Sequence, residues 1–296
     1  MSMYELHDQP DLQEPVLVMV LDGWIDAGFA AATAVQALLS STDTYPVATF
    51  DTDALLDHRA RRPILHLVDG VNTGLSWPGL ELRAGVDEGG NDFLLLAGAE
   101  PDHRWRAFAD EVIGLARRFG TRLIVGLGAY PAAVPHTRPV SLSVTASTPD
   151  LAISSGLLQG TLDVPAGVQA AVEYRCNELD LPAMGLWAQV PHYISAEPTP
   201  YHAASLALLR RLELVAGIQV DTAALEADAA RTANRIDAAL AANAEHVAML
   251  RMLEARHDET MAEAGSAMDQ PLDTALPSAD ELAAEVERFL RDQGDT

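Results

Sequence analysis

The chain has 296 residues, of which 49% are apolar, so that it can bury a substantial core as one large domain with an appendage or as two domains. Its formal net charge of −24 argues against nucleic acids and anionic lipids as partners, since both require a basic surface. All 19 basic residues are arginine, which excludes Schiff-base chemistry, a lysine general base and a Walker-type phosphate lysine.

The cellular compartment and the absence of cofactors follow from similar considerations. No apolar stretch reaches the roughly 20 residues of a membrane span, and residues 1–14 lack the pattern of a signal peptide. We therefore expect a cytoplasmic protein without a membrane partner. The single cysteine, Cys176, excludes an internal disulfide and a multi-cysteine metal site, and it is more typical of a buried inert thiol than of a nucleophile. No metal or other cofactor is predicted.

Short apolar runs bounded by Gly, Pro or Asp predict buried β-strands in the first half of the chain. These runs are 16–22, 46–51, 64–69, 92–97 and 122–128. Residues 102–119 between the last two have apolar side chains at helical spacing, which predicts a βαβ crossover. Because the runs are continuous rather than alternating, we expect helices on both faces of the sheet.

Further elements complete this domain. Ser141 to Ala146 alternates like a strand, Ala183 to Val190 reads as a buried strand, and two segments have the pattern of helices, Val168 to Glu178 and Tyr201 to Val215. Together with a helix over Phe29 to Leu39, they predict a three-layer α/β/α domain over residues 1–217.

Residues 218–296 are predicted to form a C-terminal helical extension. Asp221 to Ala264 contains no Gly or Pro and carries an apolar stripe at steps of three and four. A straight helix of this length would span roughly 65 Å, so we expect it to bend into a hairpin or to project as an arm. Gly265 to Ser278 reads as a linker, and Ala279 to Arg291 as a final helix.

The junction between the first long strand and its helix carries two carboxylates, Asp22 and Asp26. They could bind a cation, act as a base, or hold an amine or hydroxyl of a substrate. Asp26 also suits the N-cap of the following helix, and we favour that role. Gly23 and Gly28 permit the tight turn and a close approach of helix and sheet.

A basic cluster at residues 57–63 follows the second strand, which ends at Asp51. Arg59 in this cluster could meet a phosphate, a nucleotide or an acidic protein tail. A surface network of Asp53 and Asp57 with Arg59 and Arg61 is equally compatible with the pattern.

Two further loops carry histidine and arginine beyond strand ends. His103 and Arg104 at the start of the crossover helix could form an anion site, although Asp102 as a helix N-cap is the favoured interpretation. His136 and Arg138 lie on the loop after the next strand. Because all of these loops leave carboxyl-side strand ends, they could converge on one crevice. The chain has no Gly-x-Ser-x-Gly, His-Glu-x-x-His, Cys-x-x-Cys or Walker A motif.

Four segments in this order resemble the proteasome assembly chaperone family of the second type, in its actinobacterial branch. The segments are Asp22 to Gly28, Tyr45 to Asp51, Leu95 to Trp105, and 126–131 with 135–139. The resemblance covers about residues 4–217. It implies a fold like that of nucleoside phosphorylases and related hydrolases, a non-catalytic role in the assembly or docking of proteasome-type rings, and a homo-oligomer, with a trimer as one form.

The resemblance also has a point of departure. Archaeal and eukaryotic relatives often dock through a C-terminal tail of hydrophobic residue, tyrosine and any residue, and residues 293–296 do not match it. We therefore expect another docking route, such as the helical extension.

An enzyme of the phosphorylase or hydrolase type is the alternative to a chaperone-like scaffold. In such an enzyme, phosphate would be held by an arginine (Arg59, Arg104 or Arg138), and protons would be moved by a carboxylate and a histidine (Asp22 or Asp26 with His103 or His136). Residues Gly23, Asp26 and Asp51 would then help to bind the ligand.

Overall fold

The computed structural model describes residues 2–23, 25–157, 159–195 and 199–268. The strands are β1 (Tyr4–Leu6), β2 (Val16–Asp22), β3 (Thr44–Phe50), β4 (Ile64–Val68), β5 (Val71–Ser76), β6 (Leu80–Val86), β7 (Asp92–Ala99), β8 (Leu123–Ala132), β9 (Leu142–Ala146) and β10 (Ala183–Pro191). The α-helices are α1 (Ala30–Ser41), α2 (Thr52–Leu55), α3 (Trp105–Arg118), α4 (Pro149–Ser154), α5 (Val168–Glu178), α6 (His192–Ser195), α7 (His202–Ala216), α8 (Ala223–Ala241) and α9 (Ala244–Met268).

Eight strands form one mixed sheet in the order β1-β3-β6-β7-β2-β8-β10-β9. Its centre, β7-β2-β8-β10, is parallel, while the flanking strands pair antiparallel. The crossover through α3 joins β7 to β8, and β2 lies between these two strands. The carboxyl ends of β2, β7, β8 and β10 therefore lie at one edge of the sheet, which we call the carboxyl edge.

Helices cover the sheet on both faces, as the continuous apolar strands predicted. On the α1/α7 face, alternate residues of the strands such as Val18, Val125 and Leu186 pack with these helices. On the α3/α5 face, Leu17 and Leu94 belong to a second core with α3 and α5. The architecture is a three-layer α/β/α sandwich, and the predicted fold class is confirmed.

The element predictions were accurate in the central sheet. The predicted bounds of β2 and α5 agree with the structure at both ends, and those of β7, β8, β9, β10, α1, α3 and α7 agree within a few residues. Strands β1, β5 and β6 were missed. The first two are short or polar, and the alternating pattern of Leu80, Leu82 and Ala84 in β6 lies outside the continuous runs on which the prediction rested.

The run 64–69 is a strand, but the prediction that it is buried was wrong. Strand β4 pairs only with β5 in a separate two-stranded sheet, and all residues of both strands are exposed. Apolar composition indicated a strand correctly, but it carries no information on whether another element covers that strand.

The predicted long helix is divided into α8 and α9. Asn243 ends the first helix and starts the second, since its side chain accepts the N–H of Glu245 at 2.8 Å and its carbonyl accepts the N–H of Val247 at 3.1 Å. The helix is therefore interrupted at residues 242–243, and the alternative of a hairpin or an arm stays a prediction. The predicted linker begins too early, because α9 continues to Met268, and the predicted helix over 279–291 lies outside the described residues.

Two compact units divide the chain, Met1–Glu254 and Ala255–Thr296. In the first unit, α8 packs on α7 and adds Leu225, Ile236 and Leu240 to the core of the α1/α7 face. The second unit is described to Met268 as part of α9. The sequence-based boundary at residue 217 stays a prediction. Among the described helices, none is both long and apolar enough to cross a bilayer.

A substitution at Gly98 in β7 tests how closely the chain packs at the carboxyl edge. Gly98 has a φ of +130°, and a Cβ placed there would lie 2.2 Å from the carbonyl oxygen of Gly79. We expect Gly98→Ala to lower the free energy of unfolding by on the order of 3 kcal/mol, through backbone strain and overpacking. Urea unfolding monitored by circular dichroism measures this effect.

Gly114, inside α3, is the matched control for this substitution. A Cβ there meets no atom within 4 Å, so that Gly114→Ala should raise stability by about 0.5–1 kcal/mol. Equal effects of the two substitutions would contradict the packing described at Gly98.

Candidate functional site

The β2–α1 junction places Asp26 against the start of α1. Its carboxylate accepts the N–H groups of Ala31 and Ala32 at 2.8 and 2.9 Å. A short 3₁₀ turn, Ala27–Phe29, separates Asp26 from α1, so that the carboxylate caps the helix from a position earlier than a standard N-cap. The predicted acceptance of α1 N–H groups by Asp26 is confirmed, although the N-cap position itself is occupied by Phe29. Burial raises the pKa of this carboxyl group, although the backbone N–H groups oppose the shift.

Arg61 connects three of the four loops that the sequence predicted to converge. Its Nη1 donates to the backbone carbonyl of Asp22 at 2.6 Å, and its Nε lies 3.6 Å from Oδ2 of Asp102. The same Asp102 oxygen accepts the N–H of Asp57 at 2.7 Å. The loops after β2, β3 and β7 therefore meet at the carboxyl edge. Arg61 pairs with Asp102 there rather than with Asp53 or Asp57, the partners in the surface network that the sequence left open.

Gly23 and Glu100 lie beside this cluster. A Cβ at Gly23 would approach Nη2 of Arg61 to 2.5 Å and Oε2 of Glu100 to 2.8 Å, so that a side chain would displace both groups. Glu100 is buried, and its Oε1 accepts the N–H of Val168 at the start of α5 at 2.7 Å. The cluster thereby also fixes a helix on the α3/α5 face.

Four of the candidate side chains extend from the same edge without joining this cluster. Asp51 caps α2 by accepting the N–H groups of residues 53 and 54. The side chains of Arg59, His103 and Arg104 are exposed. Arg104 itself is the N-cap residue of α3, with a φ of +60°, and the favoured assignment of Asp102 to that position was wrong because its carboxylate accepts the N–H of Asp57 instead.

His136 on the fourth loop forms a buried link to the C-terminal helices. Its Nδ1 lies 2.8 Å from the hydroxyl of Tyr193, and its Nε2 lies 3.0 Å from Oδ1 of Asp237 in α8. Arg138 of the same loop is 3.4 Å from Oε1 of Glu254 in α9. The loop after β8 is thus held by α8 and α9.

An open groove of about 660 Å³ begins at the carboxyl edge and runs along the α1/α7 face. Asp22 lies at its rim, and its walls are the residues of α1 and of strands β2, β6 and β7. Arg83 on its floor donates to Oγ1 of Thr44 at 3.0 Å and pairs with Glu81 at 2.9 Å. Helix α1 contacts β2 and β8, and the groove lies between α1 and β6.

The lining of the groove is acidic on balance. Asp22, Asp43 and Glu81 face one arginine, Arg83, while Val20, Val35 and Leu39 supply apolar walls. Such a lining suits a segment with both apolar and basic groups. Among the described residues, no group of three His, Cys, Asp or Glu side chains is placed to hold a metal ion.

A second polar cluster lies on the α3/α5 face and was not found from the sequence. Burial raises the pKa of Glu173 to about 7, while a hydrogen bond from Oγ1 of Thr145 at 2.8 Å opposes the shift. The indole N–H of Trp187 donates to the same hydroxyl at 3.1 Å. Glu173 lies inside a helix that the sequence predicted correctly, but its burial depends on the pairing of β9 with β10.

Asp26→Ala tests the capping role at the first junction. We expect it to lower the free energy of unfolding by about 1–2 kcal/mol, because two N–H groups of α1 lose their acceptor. Asp26→Asn, which keeps one acceptor oxygen, should recover part of the loss. Thermal unfolding measures both, and an unchanged melting temperature with lost ligand binding would contradict the capping role.

The raised pKa of Glu173 makes the stability of the protein depend on pH. Because its pKa is raised from 4.5 to about 7 in the folded state, its contribution is fully present below pH 4.5 and is lost as the pH rises through 7. Between pH 5 and 8, the wild type should therefore lose about 2.5 kcal/mol relative to Glu173→Gln. Urea unfolding at several pH values measures this, with Glu213→Gln on α7 as an exposed control; parallel curves for all three proteins would contradict it.

The comparisons with known proteins agree with this fold. The model of the PAC2 family matches residues 20–240. A Mycobacterium tuberculosis protein of unknown function is 36% identical, covers 88% of this chain and 92% of its own, and superposes with a TM-score of 0.80. Among curated proteins, none matches this chain.

Two further solved structures carry names that refer to the proteasome. A proteasome-assembly chaperone homologue from M. tuberculosis is 35% identical, with 79% of this chain and 99% of that chain covered and a TM-score of 0.73. An archaeal proteasome activator from Pyrococcus furiosus is 15% identical, with 80% and 97% covered and a TM-score of 0.62, and it shares the fold alone. With most of its length matched by the family model and relatives above 30% identity, the chain belongs to the PAC2 family.

Proposed function

We propose that this protein is a non-catalytic, chaperone-like scaffold of the cytoplasm that docks on subunits of proteasome-type rings during their assembly, and that it acts as a homo-oligomer. Membership in the PAC2 family and 35% identity to a proteasome-assembly chaperone homologue support this role. We also propose the division into an α/β domain over residues 1–217 and a helical extension over 218–296, with the extension as part of the docking surface.

The observation that carries the proposal is the use of the polar side chains at the carboxyl edge. Asp26 holds the backbone of α1, Asp102 and Arg61 hold the loops, and His136 holds Tyr193 and Asp237. A general acid or base must reach a proton of the substrate. Side chains that bind N–H groups and neighbouring loops serve the rigidity of a scaffold instead.

The groove is the proposed docking surface for a ring subunit. It is open along one side, it combines apolar walls with Asp22, Asp43 and Glu81, and it lies in a chain of net charge −24. An extended segment with apolar and basic residues fits this lining, and the negative field would speed its association.

The direct test mixes the purified protein with proteasome α- and β-type subunits from the cell that makes it, followed by size-exclusion chromatography and native gels. We expect co-elution with ring subunits or with an assembly intermediate. Asp43→Arg should weaken this complex at least tenfold, because it places a positive charge at the mouth of the groove.

Asp163→Arg is the matched control, since Asp163 is exposed and lies outside the groove. Its charge change is the same, so that equal weakening by both variants would show a general field effect and contradict docking in the groove. Phosphorolysis or hydrolysis of nucleosides by the wild type, abolished by Asp22→Asn, would contradict the scaffold and favour the enzyme.

A further inference from the structure

A smaller pocket of about 200 Å³ lies beside the groove, at the end of the sheet opposite the carboxyl edge. Its walls come from residues 10–12, from the start of β3, and from the turn between β6 and β7. Asp43 belongs to the lining of the groove as well as to that of the pocket. The two surfaces are therefore continuous at this residue.

The wall formed by residues 10–12 is tied to the domain on both sides. Before it, the N–H of His7 donates to the carbonyl of Val47 at 2.9 Å. After it, the N–H of Gln13 donates to Oδ2 of Asp92 at 2.7 Å. The pocket is therefore formed before a partner binds, and binding does not have to order its walls.

One part of the lining is apolar and suits an aliphatic chain. Tyr45 and Val86 are 42% and 50% exposed, and Pro10 and Leu12 complete this part of the surface. The ring of Tyr45 can also hold a cation over its face. Sites for whole small molecules usually measure roughly 300–1,000 Å³, so that this smaller pocket suits a single long side chain.

The other part of the lining is acidic and consists of Asp11, Asp43 and Asp92. Among the described residues that line the pocket, none is basic. The groove differs in this respect, because Glu81 there already pairs with Arg83 at 2.9 Å. Carboxylates that share a small pocket repel one another, and a cation that enters between them relieves the repulsion. The positive charge that the pocket lacks can come from a partner.

The carboxyl end of α1 adds to the negative potential. The helix ends at Ser41, two residues before Asp43, and its last turn contains no basic residue. The backbone carbonyls at the end of a helix carry the negative end of its dipole, which favours a nearby cation. The helix dipole and the carboxylates are independent sources of negative potential, and both act at this pocket.

The length of α1 determines how long a segment must be to connect the two surfaces. The groove follows this helix from Ala32 to Thr42. At 1.5 Å per residue, the distance is about 15 Å, which an extended chain covers with roughly five residues. A segment that fills the groove therefore presents one of its end residues to the pocket.

We propose that this pocket anchors the segment bound in the groove, by holding an arginine or lysine side chain at one end of that segment. The aliphatic stem lies along Tyr45 and Val86, and the cationic end lies among the three carboxylates. The inference rests on the proposed function for the identity of the segment, which belongs to a ring subunit. It adds a requirement: a basic residue must end an apolar stretch of about five residues.

Titration calorimetry of the full chain with capped peptides tests the pocket without any ring subunit. The probes are stretches of alternating alanine and leucine with arginine at the first or at the last position, to cover both chain directions. Matched probes carry citrulline, which has nearly the same shape as arginine and no charge. We expect the arginine probe of one direction to bind about tenfold more tightly than its citrulline counterpart.

Asp11→Arg removes a carboxylate from the pocket and leaves the lining of the groove unchanged, because Asp11 does not line the groove. This variant should abolish the preference for arginine and weaken the complex with ring subunits about tenfold. Asp8→Arg is the matched control, since Asp8 is exposed on the same N-terminal segment and lies outside both linings. It carries the same charge change and should keep the preference.

The outcomes separate this inference from the proposed function. Equal binding of arginine and citrulline probes, or equal losses in the two variants, would overturn the anchor and leave docking in the groove standing. Ring binding that is lost in Asp43→Arg but not in Asp11→Arg would also overturn it. A preference for arginine that Asp11→Arg abolishes, without any binding of ring subunits, would support the pocket and contradict the proposed function.

Discussion

The structure depends on one constraint: four parallel apolar strands, β7-β2-β8-β10, must be covered on both faces. Helices α3 and α5 cover one face, and α1 and α7 cover most of the other. The antiparallel strand β6 carries polar residues, Glu81 and Arg83, which line the groove beside α1. The groove is the consequence, because a strand of alternating polarity can leave one face in solvent while a continuous apolar strand cannot.

The same constraint explains the use of the carboxyl edge. Each parallel strand ends at this edge, where the first turns of helices and the loops carry backbone N–H and carbonyl groups that need hydrogen-bond partners. In many enzymes of this architecture, a ligand meets those groups. Here Asp26 accepts an N–H group of α1, and Glu100 accepts the N–H group of Val168 at the start of α5. Arg61 donates to the carbonyl of Asp22 at the end of β2. The edge is held together by the protein's own side chains, and the open surfaces lie at the groove and the hairpin β4–β5.

The central sheet was predictable from the sequence because its signals are local. A continuous apolar run bounded by turn residues identifies β2, and helical spacing identifies α5 with both of its ends. Whether another element covers a strand is not a local property of its sequence. The run 64–69 was therefore correctly predicted as a strand but wrongly predicted as buried. For the same reason the alternating strand β6, which forms the floor of the groove, escaped detection.

The side-chain contacts of the site were less predictable. Which arginine of the basic cluster reaches the carboxyl edge depends on the path of the loop, and Arg61 rather than Arg59 bonds to the carbonyl of Asp22. His136 and Asp237 are 101 residues apart in the chain, and no spacing rule connects them. The burial of Glu173 depends on the position of β9, whose Thr145 donates to the Glu173 carboxylate. That position could not be inferred from the sequence. The capping role of Asp26 was foreseen because a cap needs only the residue and the helix that follows it.

The central claim is that the carboxyl edge is structural and that partners bind elsewhere. Amide hydrogen exchange of the full chain, measured with and without ring subunits, tests it most directly. We expect slower exchange along α1 and β6 with ring subunits, while residues 100–104 and 133–138 stay unchanged. Slower exchange in those two loops on addition of phosphate or a nucleoside, with no change at the groove, would contradict the claim.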